Sequence, residues 1–364
     1  MNIGNKYFED EIKIFLLLLG AILFISILGQ IVAFGGLEIS VQKHVAKILF
    51  SILIMIVISN VNYRFWSSYA YVMYAICFCS LIFVHILGTV KLGAQRWLDL
   101  YVITLQPSEF MKLTLILALA KYYSMLSSYE LKITKNHIFP LMLVAMPAFL
   151  ILNQPDLGTA TLLFGVGMGM IFLAGFPTKA FMIFVLGLIA ACPVGWHFLH
   201  EYQKNRILNF IFPERDPLGS GYHILQSKIA IGSGHIFGKG ILQGTQSSLN
   251  FLPEKHTDFI FTAISEELGF VGAVIIILLL TAIVFYFFWV GGSREDKFSR
   301  HLGFGLALLL FIHTFINIGM VIGILPVVGV PLPFLSYGGS SLVTFAISCG
   351  LIISMQTKPK RLLR

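Results

Sequence analysis

The chain alternates long apolar runs with short polar breaks. Ten runs reach or approach the ~20 residues that a helix needs to cross a bilayer. They lie at approximately 12–34, 45–61, 69–90, 107–125, 137–153, 158–175, 178–198, 259–290, 301–325 and 336–356. The pattern predicts an all-α polytopic membrane protein of about ten transmembrane helices, with 1–364 forming a single integral membrane domain. One break is long. Segment 199–258 holds PERDPLGSGYHILQSKIAIGSGHIFGKG, in which Asp216, Pro217, Gly219 and Gly221 predict a turn. The amphipathic stretch from Tyr222 to Ile231 then predicts a helix at the membrane interface. No internal repeat or low-complexity segment is present.

Basic residues orient the frame. One set of short breaks collects Lys and Arg, from Lys13 and Arg64 through Lys121, Lys132, Lys135, Lys179 and Arg300 to Arg364. The other set holds only Lys43, Lys47, Lys91 and Arg96. The basic side is expected in the cytoplasm. Both termini then lie inside and the long extracytoplasmic loop 199–258 lies outside. Hydrophobic residues at 57%, charged residues at 12% and a mean hydropathy of +0.87 agree with a membrane protein. The net charge of +8 is absorbed by these basic breaks, and no nucleic-acid partner is implied. Cys77, Cys79, Cys192 and Cys349 sit in apolar runs without ligand spacing, so they read as packing thiols. The first apolar run is long and lacks a small-residue cleavage site, so no cleavable signal is expected.

Polar groups interrupt the apolar runs at one end of the frame. Span 4 opens QPSEFMK, with Glu109 and Lys112 three apart on one helical face. Asn153 to Ala160 joins spans 5 and 6 and carries Asp156 after a proline. Span 8 opens behind His256 and Asp258 and carries Glu266 and Glu267 two turns in, and PLPFLSYGGSSL precedes span 10. By the alternation of spans, all four lie outside. Asp258, Thr262, Ser265 and Gly269 share a helical face with Glu266 on its flank, which predicts a polar cavity lined by that stripe. Plainer readings stand beside this one. Asp258 would serve equally as a helix cap, Asp156 as a turn former and cap, and Glu109 with Lys112 as a structural ion pair. Gly165, Gly167 and Gly169 read as close-packing positions, and His85, His197, His301 and His313 as structural. The residues alone indicate an outward polar cavity with a carboxylate at its rim, and no reaction.

Longer strings at these positions resemble the SEDS family of bacterial shape, elongation, division and sporulation proteins. They are RWLDL (96–100), QPSEFMK (106–112), QPDLGTA (154–160), DPLGSGYHILQSKIAIGSG (216–234), GKGILQGTQSSLNFLPEKHTDFIF (238–261), EELGFVG (266–272) and PVVGVPLPFLSYGGSSL (326–342). Their order spans nearly the whole chain, and the paired prolines of VGVPLPFLSYGGSS resemble the elongation, RodA-like branch more than the division branch. His235 and Phe212 depart from the family pattern, both within the outer loop.

The resemblance implies a peptidoglycan glycosyltransferase of the bacterial cytoplasmic (inner) membrane. It would polymerise lipid II, a disaccharide-pentapeptide on undecaprenyl diphosphate, during cell elongation and rod-shape maintenance. The implied partners are a class B penicillin-binding protein and other elongation-machinery membrane proteins. The family's essential aspartate falls on Asp258, which would act as general base for an inverting transfer. Arg96, Lys112, Arg206, Arg215 and Lys255 are candidates to meet the diphosphate, Arg suiting bidentate contact. Glu109 would orient Lys112, and Asp156, His256, Glu266, Ser336 and Tyr337 complete the candidate substrate site. Trp97 and Tyr101 are placed beside a lipid groove. A divalent cation such as Mg or Mn suits the diphosphate chemistry, although no dedicated metal motif is visible. A lipid II flippase, a non-enzymatic scaffold that activates the penicillin-binding protein, and a polymerase of another lipid-linked glycan are the rival readings.

Overall fold

The computed structural model describes residues 3–91, 94–99, 104–199, 201–212, 220–248 and 254–357. In chain order these residues form α1 (Ile3–Phe34), α2 (Ile39–Asn60), α3 (Tyr63–Leu87), β1 (Thr89–Lys91), β2 (Ala94–Asp99), β3 (Thr104–Leu105), α4 (Pro107–Met125) and α5 (Ile138–Asn153). They continue with α6 (Leu157–Leu173), α7 (Thr178–Phe198), α8 (Glu201–Ile211), α9 (Ser220–Ser233), α10 (Thr245–Ser248), α11 (Ile260–Gly292), α12 (Lys297–Val321) and α13 (Gly339–Thr357). The apolar runs become helices because helix satisfies every backbone group within its own segment, as hydrocarbon surroundings demand. Eight of them, α1, α2, α3, α5, α7, α11, α12 and α13, contain stretches long and apolar enough to cross a membrane. The remaining two expected spans coincide with α4, which carries Glu109, Lys112 and Lys121, and with the 17-residue α6. The chain is a multi-pass helical membrane protein.

The bundle is organised around α4, whose residues from Met111 to Ala120 are all buried. Helices α3 and α12 flank it, α5 packs on α6, α2 on α13, and α11 against α1 and α12. Close approach uses glycine where expected: a Cβ at Gly167 would overlap Val144, and one at Gly169 would press on Leu308. Helix α7 differs from the rest, with none of its apolar window buried inside the bundle.

Two features lie outside the helical expectation. Between α3 and α4 the chain forms a small antiparallel sheet in the order β1-β2-β3, with Thr89 opposite Trp97 and Leu98 opposite Leu105. The expected interfacial helix is present as α9. It packs into the bundle against α11 and α12, with Ile224, Ser227 and Ala230 buried, instead of lying on the surface. Gly221 belongs to α9, and the rest of the expected turn at 216–219 lies outside the described residues.

Candidate functional site

Four loops meet at one end of the bundle. Strand β2 carries Arg96, whose guanidinium donates to the carbonyls of Gln154 and Pro155 and pairs with Asp156 at 3.5 Å. Asp156 caps α6, accepting from the Thr159 backbone N–H at 3.1 Å and from its hydroxyl at 2.9 Å. The plain reading of Asp156 therefore holds, and the same carboxylate also fixes Arg96. A Cβ at Gly158 would overlap the Val328 carbonyl, so glycine lets this turn seat directly against the 326–332 segment. That segment in turn meets the end of the long loop, where Gly329, at φ +70°, faces the Asp258 carboxylate; a Cβ there would lie 3.3 Å from Oδ2.

Asp258 does not cap α11. Phe259 occupies the cap position and no side-chain cap bond is made, so the capping alternative falls. The residue is partly exposed on this end of the molecule. Partial burial is the main force pushing its pKa up to about 6, and Glu254 and Asp156 add to the rise while Arg206 on α8 and Arg96 oppose it. The outcome is a carboxylate that titrates near neutrality despite the pull of two arginines. Around it, Lys255 and His256 are also partly exposed, and burial lowers the pKa of each.

The backbone of this turn is tightly anchored. Ser336 Oγ donates to the Thr257 carbonyl and accepts from the Leu332 N–H, both at 2.7 Å. The His256 carbonyl accepts from Tyr337 N at 2.8 Å and from Gln30 Nε2 at 3.1 Å. The Tyr337 ring packs near His44, Phe34 and His256, with the Lys47 ammonium 3.6 Å from its centroid. Such a cation–aromatic contact fixes the ring from one side.

Several expected contact residues have other duties. Ser336 is buried with its hydroxyl committed to backbone, so it shapes the site without facing it. Lys112 and Glu109 form a 2.7 Å ion pair that is all but fully buried, which removes both from direct substrate contact and supports their structural reading. Lys112 also meets His313 Nε2 at 2.9 Å. The polar stripe on α11 does not line a cavity: Thr262 meets Ser227 of α9, and Ser265 donates to the Phe261 carbonyl of its own helix.

Glu266 requires the largest correction. It is fully buried, pairs with Lys239 at 2.8 Å and accepts from Gln246 N at 2.9 Å, while Glu267 accepts from Leu242 N at 2.7 Å. Both carboxylates hold the glycine-rich loop to α11. The reason lies in the backbone, because Gly269 leaves helical geometry at φ 66°, ψ −165°. A regular helix would pair Phe270 N with Glu266 O and Val271 N with Glu267 O. Here Phe270 N and Val271 N donate to His235 O and Ile236 O, while Glu266 O and Glu267 O accept from Lys239 N and Gly240 N. The returning loop replaces the bonds that the break removes, and its backbone satisfies buried groups that would otherwise stay unpaired. His235, the departure noted in this loop, stands at φ +48°, a conformation that glycine adopts without strain.

Of the remaining expectations, Trp97 is half-buried on β2, whereas Arg215 and Tyr101 lie outside the described residues. Among the described residues no three His, Cys, Asp or Glu side chains come together as a metal site. Sequence reasoning missed Glu254, Gly329 and Asn317 as neighbours of Asp258. Asn317, a buried amide inside an apolar span, was the one signal available.

Comparison with known proteins bears on the family and the fold. The chain is 41% identical over 99% of its length, and 98% of the relative's, to the peptidoglycan glycosyltransferase MrdB of Escherichia coli K12. It is 39% identical to the stage V sporulation protein E of Bacillus subtilis, over 84% of this chain and 83% of that one. A chain from a solved peptidoglycan synthase complex, described as coordinating polymerization and crosslinking, superposes with a TM-score of 0.80 at 27% identity, covering 94% of this chain and 96% of that one. The rod shape determining protein RodA of Thermus thermophilus shares the fold with a TM-score of 0.70 at 24% identity, over 94% of this chain and 95% of that one. The family model described as a cell cycle protein, FtsW/RodA/SpoVE, matches residues 11–361, and the chain belongs to that family.

Proposed function

We propose that this protein is a peptidoglycan glycosyltransferase of the bacterial inner membrane that polymerises lipid II at the outer face, with Asp258 as general base. One observation carries the reading. In a chain 41% identical throughout to a named peptidoglycan glycosyltransferase, the partly exposed Asp258 is free of capping duty, raised to about pKa 6, and within the electrostatic reach of Arg96 and Arg206.

The chemistry fits those groups. The 4-hydroxyl of the acceptor sugar attacks the anomeric carbon of the donor. The carboxylate takes the hydroxyl proton as the new C–O bond forms, and the bond to diphosphate breaks with inversion. A base with a pKa near the working pH contributes about 10²–10⁴ in rate. The leaving diphosphate gains negative charge, and Arg96, Arg206 and Lys255 supply positive charge on this side. Arg96 is already oriented by two carbonyls and Asp156, so little freedom is lost when it binds. Among the described residues no three His, Cys, Asp or Glu side chains come together to hold a divalent cation, and an ion carried by the diphosphate itself is compatible with the same arginines. The complex from which the similar solved chain comes couples polymerization to crosslinking, which supports a class B penicillin-binding protein as partner.

The deciding experiment measures strand synthesis from lipid II in detergent by wild type and Asp258→Asn, with and without that partner. Polymer from wild type alone among the two is expected. Normal polymerisation by Asp258→Asn would overturn the base assignment.

A further inference from the structure

Two polar side chains on α12 approach this end from inside the bundle, Asn317 at the backbone of the candidate base and His313 at the loop beside it. His313 and Asn317 are one turn apart and share a helical face. Both are fully buried. The Asn317 amide donates to the Asp258 carbonyl at 2.9 Å and to the Val330 carbonyl at 2.7 Å. Its orientation is fixed, because the flipped amide would set its oxygen against two carbonyl oxygens. The Asn317 Oδ1 atom has no hydrogen-bond partner. Leaving a buried acceptor unsatisfied is costly, so the side chain is held here for the two bonds it donates.

His313 acts on the next carbonyl. The Lys112 ammonium can only donate, so His313 Nε2, 2.9 Å away, is the acceptor and Nδ1 carries the hydrogen. Nδ1 donates to the Pro331 carbonyl at 3.2 Å. Lys112, held by Glu109, therefore fixes the tautomer that grips the loop. Consecutive carbonyls, Val330 and Pro331, are thus held by consecutive turns of one helix. Gly329, immediately before them, is the residue seated against the Asp258 carboxylate.

We propose that Asn317 and His313 are positioning residues for the transfer reaction: Asn317 ties the Val330 and Asp258 backbones to one another and His313 holds the adjoining Pro331 carbonyl, fixing the base against its wall. The inference rests on the reading of Asp258 as general base. It assigns no contact with substrate to either side chain. Loss of the clamp lets the 329–331 segment retreat, which misplaces the carboxylate and admits water beside it. The other charges facing Asp258, namely Glu254, Arg206, Asp156 and Arg96, come from the long loop, α8, the α6 turn and β2, and do not depend on α12.

The test uses the purified full-length chain and lipid II across the pH range, comparing wild type with Asn317→Ala, His313→Asn, His313→Leu, Gly329→Ala and Asp258→Asn. For Asn317→Ala, kcat per folded molecule is expected to fall roughly 10- to 100-fold, the cost of a misplacement near 1 Å. KM should stay within about twofold, since binding groups are untouched. The acid limb of the pH profile should move to lower pH as water reaches the carboxylate. His313→Asn keeps a donor near the position of Nδ1 and should retain more activity than His313→Leu. Gly329→Ala reaches the same wall without touching α12 and keeps the proposal testable if the α12 variants misfold. Wild-type kcat and pH profile in Asn317→Ala, or in Gly329→Ala where the former does not fold, would overturn the proposal. An active Asp258→Asn would instead sink the base reading, so the two failures are distinguishable.

Discussion

At the scale of single residues, the raised pKa of Asp258 gives opposite signs for activity and stability. A base works only when ionised, so activity should rise through about pH 6 and level off above it. The same carboxylate titrates near 3.9 when unfolded. The folded state therefore holds the proton more tightly, and the ionised side chain costs stability above about pH 6 that is relieved as the pH falls toward 4. Asp258→Asn is expected to be inactive yet to melt no lower than wild type at pH 8, the difference vanishing below about pH 4. Thermal denaturation at the two pH values checks this, and a clearly lower Tm at pH 8 would refute it. Glu109 and Lys112 behave differently. Breaking a buried pair on one side leaves an uncompensated charge worth about 3–5 kcal/mol. Folded yield should collapse in Glu109→Gln or Lys112→Met alone, and recover in part when both are combined, because the two changes are coupled. Asp258 was legible in the sequence as a carboxylate at the mouth of a span. That it does not cap the helix was not legible, because an Asp two residues before the first helical position looks the same either way. Ser336 and Glu266 were misread for one shared reason. A polar residue next to an apolar run is as often paired with backbone as with a ligand, and only the fold shows which carbonyls and N–H groups lie within reach.

At the scale of elements, the apolar pattern found each spanning helix, since length and hydropathy set what crosses a bilayer, but α1 begins nine residues and α2 and α3 six residues before the apolar limits, because a helix continues past its apolar stretch into polar residues. What it could not place was the partner of each interruption. GSGHIFGKG reads as loop in any window, and the run after Glu267 reads as unbroken helix. The pairing across the Gly269 break depends on residues some 30 positions apart. Glycine is required on both sides of this join. A Cβ at Gly238 would overlap the Glu267 carbonyl, and one at Gly269 would overlap the backbone N of Gly238, with φ positive at both. Gly238→Ala and Gly269→Ala should each prevent stable folding, whereas Gly232→Ala, which meets open space within α9, should be tolerated. Detergent-solubilised yield of folded protein reports the outcome. Glu266→Gln keeps the shape and removes the charge facing Lys239. It should loosen the 238–246 loop, seen as faster limited proteolysis there, with little change in the remaining digest. Equal resistance to wild type would show that the ion pair adds nothing to the backbone pairing.

For the whole molecule, the loops between spans 3 and 4, 5 and 6, 7 and 8, and 9 and 10 converge on one end, as Arg96–Asp156, Gly158–Val328, Asp258–Gly329 and Ser336–Thr257 contacts show. A flippase needs its polar path open to both leaflets in turn. Here the loops that carry Asp258, Arg96, Asp156 and Lys255 meet at a single end, and the deeper ionisable pair, Glu109 with Lys112, is sealed by protein. That asymmetry favours chemistry over transport, and it makes orientation decisive. The distribution of basic residues and the alternation of spans predict Lys132 and Lys135 in the cytoplasm and Lys255 outside. In a background with Cys77, Cys79, Cys192 and Cys349 replaced, Lys255→Cys should react with a membrane-impermeant thiol reagent applied from the outer side of intact spheroplasts. Lys132→Cys should react only after the membrane is opened. The reverse labelling would face the Asp258 end toward the cytoplasm, before the lipid-linked precursor has crossed, and a polymerase that builds wall on the outer surface could not work from there.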